Sequence, residues 1–332
     1  MDPFKIDIPV LIIFFARPEP LAKVFEQIKL AKPSKLYLYQ DGPREDRTDD
    51  IENINKCRQI VKDITWKCQV YCKYQHKNYG CDPSEYIAQK WMFENEEFGI
   101  VLEDDDVPSQ SFFPFCKEIL ERYKDDERMG IICGMNNLGT YGKTSEESYF
   151  FTKSGSIWGW ATWKRNVDLW DENYTWLSDK TSLSALRKSL SKSDYNFFMN
   201  LAIRHKNSGN AHYETILAAF LFLQNKLNIV PRFNMISNVG LGENGTHALQ
   251  NLNLIPKGIR KIFYMKIYEL GFPLIHPRYI TEDKVYKKKV DRQLANGYPL
   301  IKFSRLVEST FYRIVRGDFI SIIKGAKRRL RA

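Results

Sequence analysis

Phe98-Gly99-Ile100-Val101-Leu102-Glu103-Asp104-Asp105-Asp106 reads as a hydrophobic strand that runs directly into four consecutive carboxylates. Those charges repel one another, so leaving them unpaired costs energy, and a bound divalent cation is the simplest compensation. Magnesium or manganese would accept one or two of the carboxylates and complete its shell with phosphate oxygens and water. The plainer alternative is a solvated acidic turn, with Asp106 or Ser109 capping the helix that follows. Which of the two holds depends on the kind of sheet the strand belongs to.

Upstream, Pro9-Val10-Leu11-Ile12-Ile13-Phe14-Phe15-Ala16 is a continuous apolar run, as expected of a strand buried on both faces. It stops at Arg17-Pro18, before an amphipathic helix from about Glu19 to Leu30. Lys35 to Gln40 reads as a second strand ending at Asp41-Gly42-Pro43, and a polar helix around Asp49 to Lys62 follows. From Trp66 to Tyr74 apolar and polar residues alternate, the period of a half-buried strand, which places Cys68 and Cys72 on its apolar face as core residues. That period argues against zinc, although Cys68, Cys72, His76 and Cys81 come close to a zinc-knuckle spacing. Asp82-Pro83-Ser84-Glu85 starts a helix.

Strands alternating with helices over the first 130 residues predict a mostly parallel α/β sheet with helices on both faces. Ligands of such sheets bind beyond the carboxyl ends of the strands. Arg17, Asp41 and Glu103 to Asp106 would then open on one edge, and that favours the functional reading of the acidic run. Asp41-Gly42-Pro43 could also be no more than a tight turn.

In the second half, Trp158-Gly159-Trp160-Ala161-Thr162-Trp163 carries three indoles in six residues. Aromatic faces stack on sugar rings, so a platform for a donor or acceptor sugar competes with a core strand, and the three are expected to divide between those roles. An apolar helix begins at Ala211-His212-Tyr213-Glu214, and Asn228 to Pro231 reads as a strand. Asn238 to His247 is glycine-rich and polar, suited to a mobile lid from which His247 could reach phosphate or metal.

The composition narrows the function classes. With 332 residues, 43% of them hydrophobic, the chain can bury a full core. No secretory leader is evident, and no window approaches the roughly 18 to 20 unbroken apolar residues of a spanning helix. These features, with unpaired cysteine spacing, predict a soluble, reduced, cytoplasmic protein. The net charge of +10 resides in the tail, where residues 284–332 hold 14 Lys/Arg against three acids. There Phe303, Leu306, Phe311, Ile314, Val315, Phe319, Ile322 and Ile323 interleave with Arg305, Arg313, Arg316, Lys324 and Lys327-Arg328-Arg329. Such a segment suits an anionic membrane surface, or a helix packed on the domain with a solvated basic face; nucleic acid is not expected. The expected organisation is one domain over residues 1–253, with a nucleotide half (1–130) and an acceptor half (131–253), and a basic extension over 254–332.

Ile100 to Asp106, followed by Phe112-Phe113, resembles the Glu-Asp-Asp segment of GT-A fold glycosyltransferases. The closest resemblance is to the inverting N-acetylglucosaminyltransferase I type and its bacterial haemolytic-protein-like relatives. Similar pieces are Phe15-Ala16-Arg17-Pro18, Tyr39-Gln40-Asp41-Gly42-Pro43, Trp158 to Trp163 and Asn238-Val239-Gly240-Leu241-Gly242, spread over about Pro9 to His247. The resemblance implies a Rossmann-like mixed sheet with Asp105 as the direct ligand of manganese or magnesium. It also implies Glu103 and Asp104 facing the donor sugar and ribose, Arg17 near the diphosphate and Asp41 on a base that is usually uracil, while the indole motif adds Trp160 as a candidate at the donor. In the related enzymes an aromatic-Asp pair supplies the base; here the pair is Tyr213-Glu214, one methylene longer. Glu214 could also be a first-turn glutamate complementing the helix dipole, and Asp194 and Asp171 are the reserve candidates.

The function expected from these residues is inverting transfer of a sugar from a nucleotide-sugar, UDP-linked by preference, to a glycan or lipid-linked acceptor, peripherally at the inner membrane face. Two alternatives remain. A sugar-1-phosphate nucleotidyltransferase would want the same carboxylates but also a glycine-rich basic loop after the first strand. A non-enzymatic, membrane-active binding protein acting through the tail would leave the acidic run unexplained.

Overall fold

Strand β1 (Ile6–Phe14) sits between two partners and sends successive side chains to opposite faces of the sheet. Ile8, Val10, Ile12 and Phe14 enter one hydrophobic core, Leu11 and Ile13 another. The computed structural model describes residues 1–142, 147–241 and 254–318. In chain order β1 leads to α1 (Pro18–Ala31), β2 (Pro33–Gln40), α2 (Asp49–Val61), β3 (Gln69–Tyr74), α3 (Cys81–Phe93), β4 (Phe98–Glu103), β5 (Asp106–Pro108) and α4 (Phe112–Arg122). Strands β6 (Met129–Cys133), β7 (Tyr149–Thr152) and β8 (Trp160–Trp163) come next, then α5 (Lys164–Val167), α6 (Lys180–Ser189), α7 (Lys192–Ser208) and α8 (Tyr213–Leu223). The described chain closes with β9 (Leu227–Pro231), β10 (Ile236–Asn238), α9 (Lys257–Arg260), α10 (Lys284–Leu294) and α11 (Pro299–Val315).

Eight strands form one mixed sheet in the order β3-β2-β1-β4-β8-β6-β9-β7. Helices α1, α2 and α4 cover the face into which Val10 and Leu36 point, and α3, α8 and α10 the face of Leu11 and Tyr37. Burying each large apolar side chain in these two layers stabilises the fold by about 1.5–3 kcal/mol. The α/β class with helices on both faces is therefore present. Strands β1 to β4 are parallel as expected, whereas β8 runs antiparallel between β4 and β6, and β7 antiparallel to β9.

One expectation fails at the sheet margin. Because β3 is an edge strand, Cys72 is exposed and Cys68 only half-buried, so the two cysteines are not both core residues. Of that alternating set, Trp66 alone is fully enclosed, with its indole N–H donating to the Pro33 carbonyl at 2.8 Å.

A second, two-stranded sheet pairs β10 antiparallel with β5 and sets Asn238 opposite Asp106. Against it lies Gly159, whose φ is +59° and whose hydrogen points at Ile236, where a Cβ would overlap the side chain. Gly159→Ala is expected to lower the unfolding free energy by about 2–4 kcal/mol, from overpacking and from left-handed backbone strain. The readout is a lower urea midpoint at unchanged slope.

The extension expected from residue 254 onward divides in two. Tyr286 of α10 is fully buried, donates to Asn136 Oδ1 at 3.1 Å and accepts from the Asn137 N–H at 3.1 Å, so α10 belongs to the body. Helix α11 contributes no buried residue. Among the described residues no helix is long and apolar enough to cross a membrane.

Candidate active site at the carboxyl edge of the sheet

The sheet order places β2 and β3 on one side of β1 and β4 on the other, so the chain switches direction between β1 and β4. A crevice opens beyond the strand ends at such a switch point. Arg17 leaves the end of β1 there, in a three-residue link (Phe15 to Arg17) that α1 ends at Pro18. Glu103 to Asp106 leave the end of β4.

Arg17 ties the end of β1 to the acids that follow β4. Its Nη1 lies 2.9 Å from Asp105 Oδ2, its Nε donates to Asp104 Oδ2 at 3.3 Å, and its Nη2 pairs with Asp104 Oδ1. Burial works against the guanidinium charge, but Asp104 and Asp105 outweigh it and raise its pKa. Asn238 clamps the other side, its Nδ2 donating to Asp105 Oδ1 at 3.0 Å and to Asp106 Oδ1 at 3.1 Å. Asp106 Oδ2 accepts the Gly159 N–H at 2.9 Å. Gly240 packs so closely that a Cβ would overlap Asp105 Oδ2, hence only glycine fits this loop position.

The charge is only partly balanced. Burial pushes Glu103 and Asp106 well above the ordinary carboxylate range, with neighbouring acids adding to it. Asp105 is also raised by burial, against the opposing pull of Arg17. The donor set is all oxygen, which suits magnesium or manganese. Among the described residues no group of three or more His, Cys, Asp or Glu is placed so that it could hold a metal ion. Neither ion needs such a group, since one or two carboxylates with phosphate and water suffice. Buried acids held above their usual range for want of positive charge would gain from a cation at this edge.

Asp41 follows β2 directly at the same edge, 5% exposed. Its carboxylate accepts the N–H groups of Gly42 at 2.9 Å, Tyr79 at 3.0 and 3.1 Å, and Gly80 at 3.0 Å, so it anchors the loop that precedes α3. Trp160 and Trp163 are core residues, 1% and 2% exposed; Trp160 stacks on Tyr213 at 6.3 Å, and Trp163 donates to the Leu120 carbonyl at 3.0 Å. Sitting mid-sheet on β8, Trp160 offers no face to a ligand. Trp158 alone of the three keeps partial exposure, tilted against Phe263 at 5.2 Å.

Glu214 stands exposed in the first turn of α8, close enough for its charge to bear on Glu85. Of the reserve candidates, Asp171 is occupied as a loop anchor, accepting from the Thr175 N–H at 2.6 Å and hydroxyl at 2.7 Å. Asp194 lies in the first turn of α7, its N–H capped by Ser191. His247 lies outside the described residues, as do the tail residues from Phe319 on.

Three residues quoted in the sequence analysis for other reasons turn out to meet the acids. Asn238 meets the acids only through the β10–β5 register, and Gly240 only through the turn that follows it. Glu85, on α3, is 8% exposed and accepts from the Cys81 thiol at 3.1 Å. Burial, with the charges of Asp82, Glu214 and Asp105, pushes it up to about 8. Its only sequence signal was an acid four residues into a helix start.

No protein-family model matches the chain, and no curated protein matches it. Among solved structures, apo UDP-glucose pyrophosphorylase superposes with a TM-score of 0.36 at 12% identity, covering 70% of this chain and 93% of that one. UDP-glucose pyrophosphorylase complexed with UDP-glucose gives 0.35 at 11% identity, covering 69% and 91%. Likeness this slight carries no argument about chemistry.

Proposed function

We propose that this chain is an enzyme of nucleotide-sugars and, more finely, an inverting glycosyltransferase that uses a UDP-sugar with manganese or magnesium and a glycan or lipid-linked acceptor. The observation that carries the reading is the Arg17–Asp104–Asp105 constellation, facing partly uncompensated buried acids at the β1/β4 switch point. Arg17 supplies two further roles once a diphosphate enters, since its fork suits phosphate as well as carboxylate. It can turn to the donor while Asp104 keeps hold of one edge, which frees Asp105 Oδ2 for the cation.

A bound divalent cation would neutralise the charge that builds on the departing diphosphate. Glu214, exposed above this edge, takes the proton of the acceptor hydroxyl as that oxygen attacks the sugar carbon from the side opposite the leaving group. Glu103 and Asp104 line the donor side. Asp41 shapes the base end of the crevice through the loop it ties down.

Sugar-1-phosphate nucleotidyltransfer, the activity carried in the names of the two solved structures, remains the competing reaction. The link between β1 and α1 contains no glycine and is only three residues long, which speaks against a phosphate-wrapping loop there. Calorimetry of UDP-, GDP- and dTDP-sugars with manganese, with a parallel assay for pyrophosphate release from UTP and a sugar 1-phosphate, tests both. Tight manganese-dependent binding of a UDP-sugar without pyrophosphate release is expected. Pyrophosphate release assigns the other reaction, and absence of any nucleotide binding overturns the proposal.

A further inference from the structure

Helix α11 is mounted the wrong way round for a water-facing helix. Its exposed apolar residues are Leu300, Phe303, Val307, Phe311 and Ile314, at 82, 65, 52, 60 and 50% exposure. Their spacings of three and four residues put them on one face. The opposite, polar side meets the body. Arg305 donates to the Gln293 carbonyl, Glu308 accepts the Lys257 N–H at 3.1 Å, and the Ser309 hydroxyl reaches the Leu254 carbonyl at 3.4 Å. Scattered exposed apolar residues are ordinary, but a continuous stripe on a helix held by its polar side is an interaction surface.

Charge selects the occupant. Residues 284–332 carry 14 Lys/Arg against three acids, and Lys284, Lys288, Lys289 and Arg292 of α10, Lys302 of α11 and Arg316 just after it are exposed. A second copy would bring two such segments together and repel. An anionic bilayer attracts the cations and takes up the stripe, the two contributions by which in-plane helices bind. We infer that α11 lies along an anionic membrane, its stripe among the acyl chains. This surface stands apart from the reaction proposed above, because it rests on residues outside the crevice.

The test is sedimentation of the full chain with vesicles of phosphatidylcholine alone or mixed with phosphatidylglycerol. The protein is expected to partition onto the mixed vesicles only, and Phe303→Ser/Phe311→Ser to reduce that binding about tenfold or more. Both side chains are exposed, so the fold survives, and unchanged calorimetric binding of a UDP-sugar in solution confirms that the crevice is intact. Lys288→Glu/Lys289→Glu is expected to weaken the same binding and its salt dependence. No binding to either vesicle, equal binding of the serine variant, or a dimer in solution that the serine variant splits would overturn the inference, the last in favour of a second copy.

Discussion

Asp105→Ala is expected to abolish manganese-dependent binding of a UDP-sugar and to lower turnover at least about a hundredfold, since a bound cation contributes several kcal/mol to charge stabilisation. The local contacts separate this loss from unfolding. Arg17 keeps its two bonds to Asp104, and the Asn238 amide keeps Asp106, so neither partner is orphaned when Asp105 is cut back. Removing a carboxylate that burial already holds above its ordinary range also relieves repulsion among its neighbours. Thermal stability should thus stay near that of the parent while calorimetry with manganese falls flat. Arg17→Ala is the useful contrast, for it leaves Asp104 and Asp105 facing each other without their cation and should destabilise the fold. Unchanged manganese-dependent affinity in Asp105→Ala would remove this residue as the ligand.

The parts of this edge that were legible in the sequence are those a strand carries by itself. The uninterrupted apolar run of β1 and the passage from Leu102 into the acids announced buried strands whose ends hold Arg17 and Asp105, and both lie where parallel pairing puts them. Period-two alternation told less. It gave β3 its apolar side, but a strand at the sheet margin has nothing to cover that side, so Cys72 reaches solvent. Trp158 to Trp163 left platform and core open, with the three indoles expected to divide; insertion of β8 between β4 and β6 encloses Trp160 and Trp163 and leaves Trp158 partly exposed. Asn238 and Asp105 are 133 residues apart in the chain, and only the β10–β5 register joins them. Glu85 belongs with them in kind: its place facing Glu103 and Asp105 follows from how α3 packs, which local pattern does not encode.

Glu214→Gln is expected to leave donor binding intact while transfer falls by about 10²–10⁴, the usual worth of a positioned general base. Two carboxylates compete for that role here, and exposure separates them. Glu214 stands in solvent at the head of α8, where an acceptor hydroxyl can reach it, whereas Glu85 is buried beneath, held by the Cys81 thiol. Glu85→Gln is therefore expected to retain transfer and to show its effect in stability. The folded-state pKa of Glu85, about 8, lies above the ordinary 4.5, so its bound proton favours the folded state fully below pH 4.5, and that contribution fades as the pH climbs through about 8. Glutamine keeps its neutral form at every pH. The variant should match the parent in acid and exceed it above pH 8, by an amount on the order of 5 kcal/mol given about 1.4 kcal/mol per tenfold difference in proton affinity. Urea unfolding across that range reads the stability, and single-turnover transfer reads the chemistry. Should transfer survive Glu214→Gln and vanish in Glu85→Gln with donor binding unchanged, the proton goes to the buried acid, and access from the acceptor side must then come through motion of α8 away from α3.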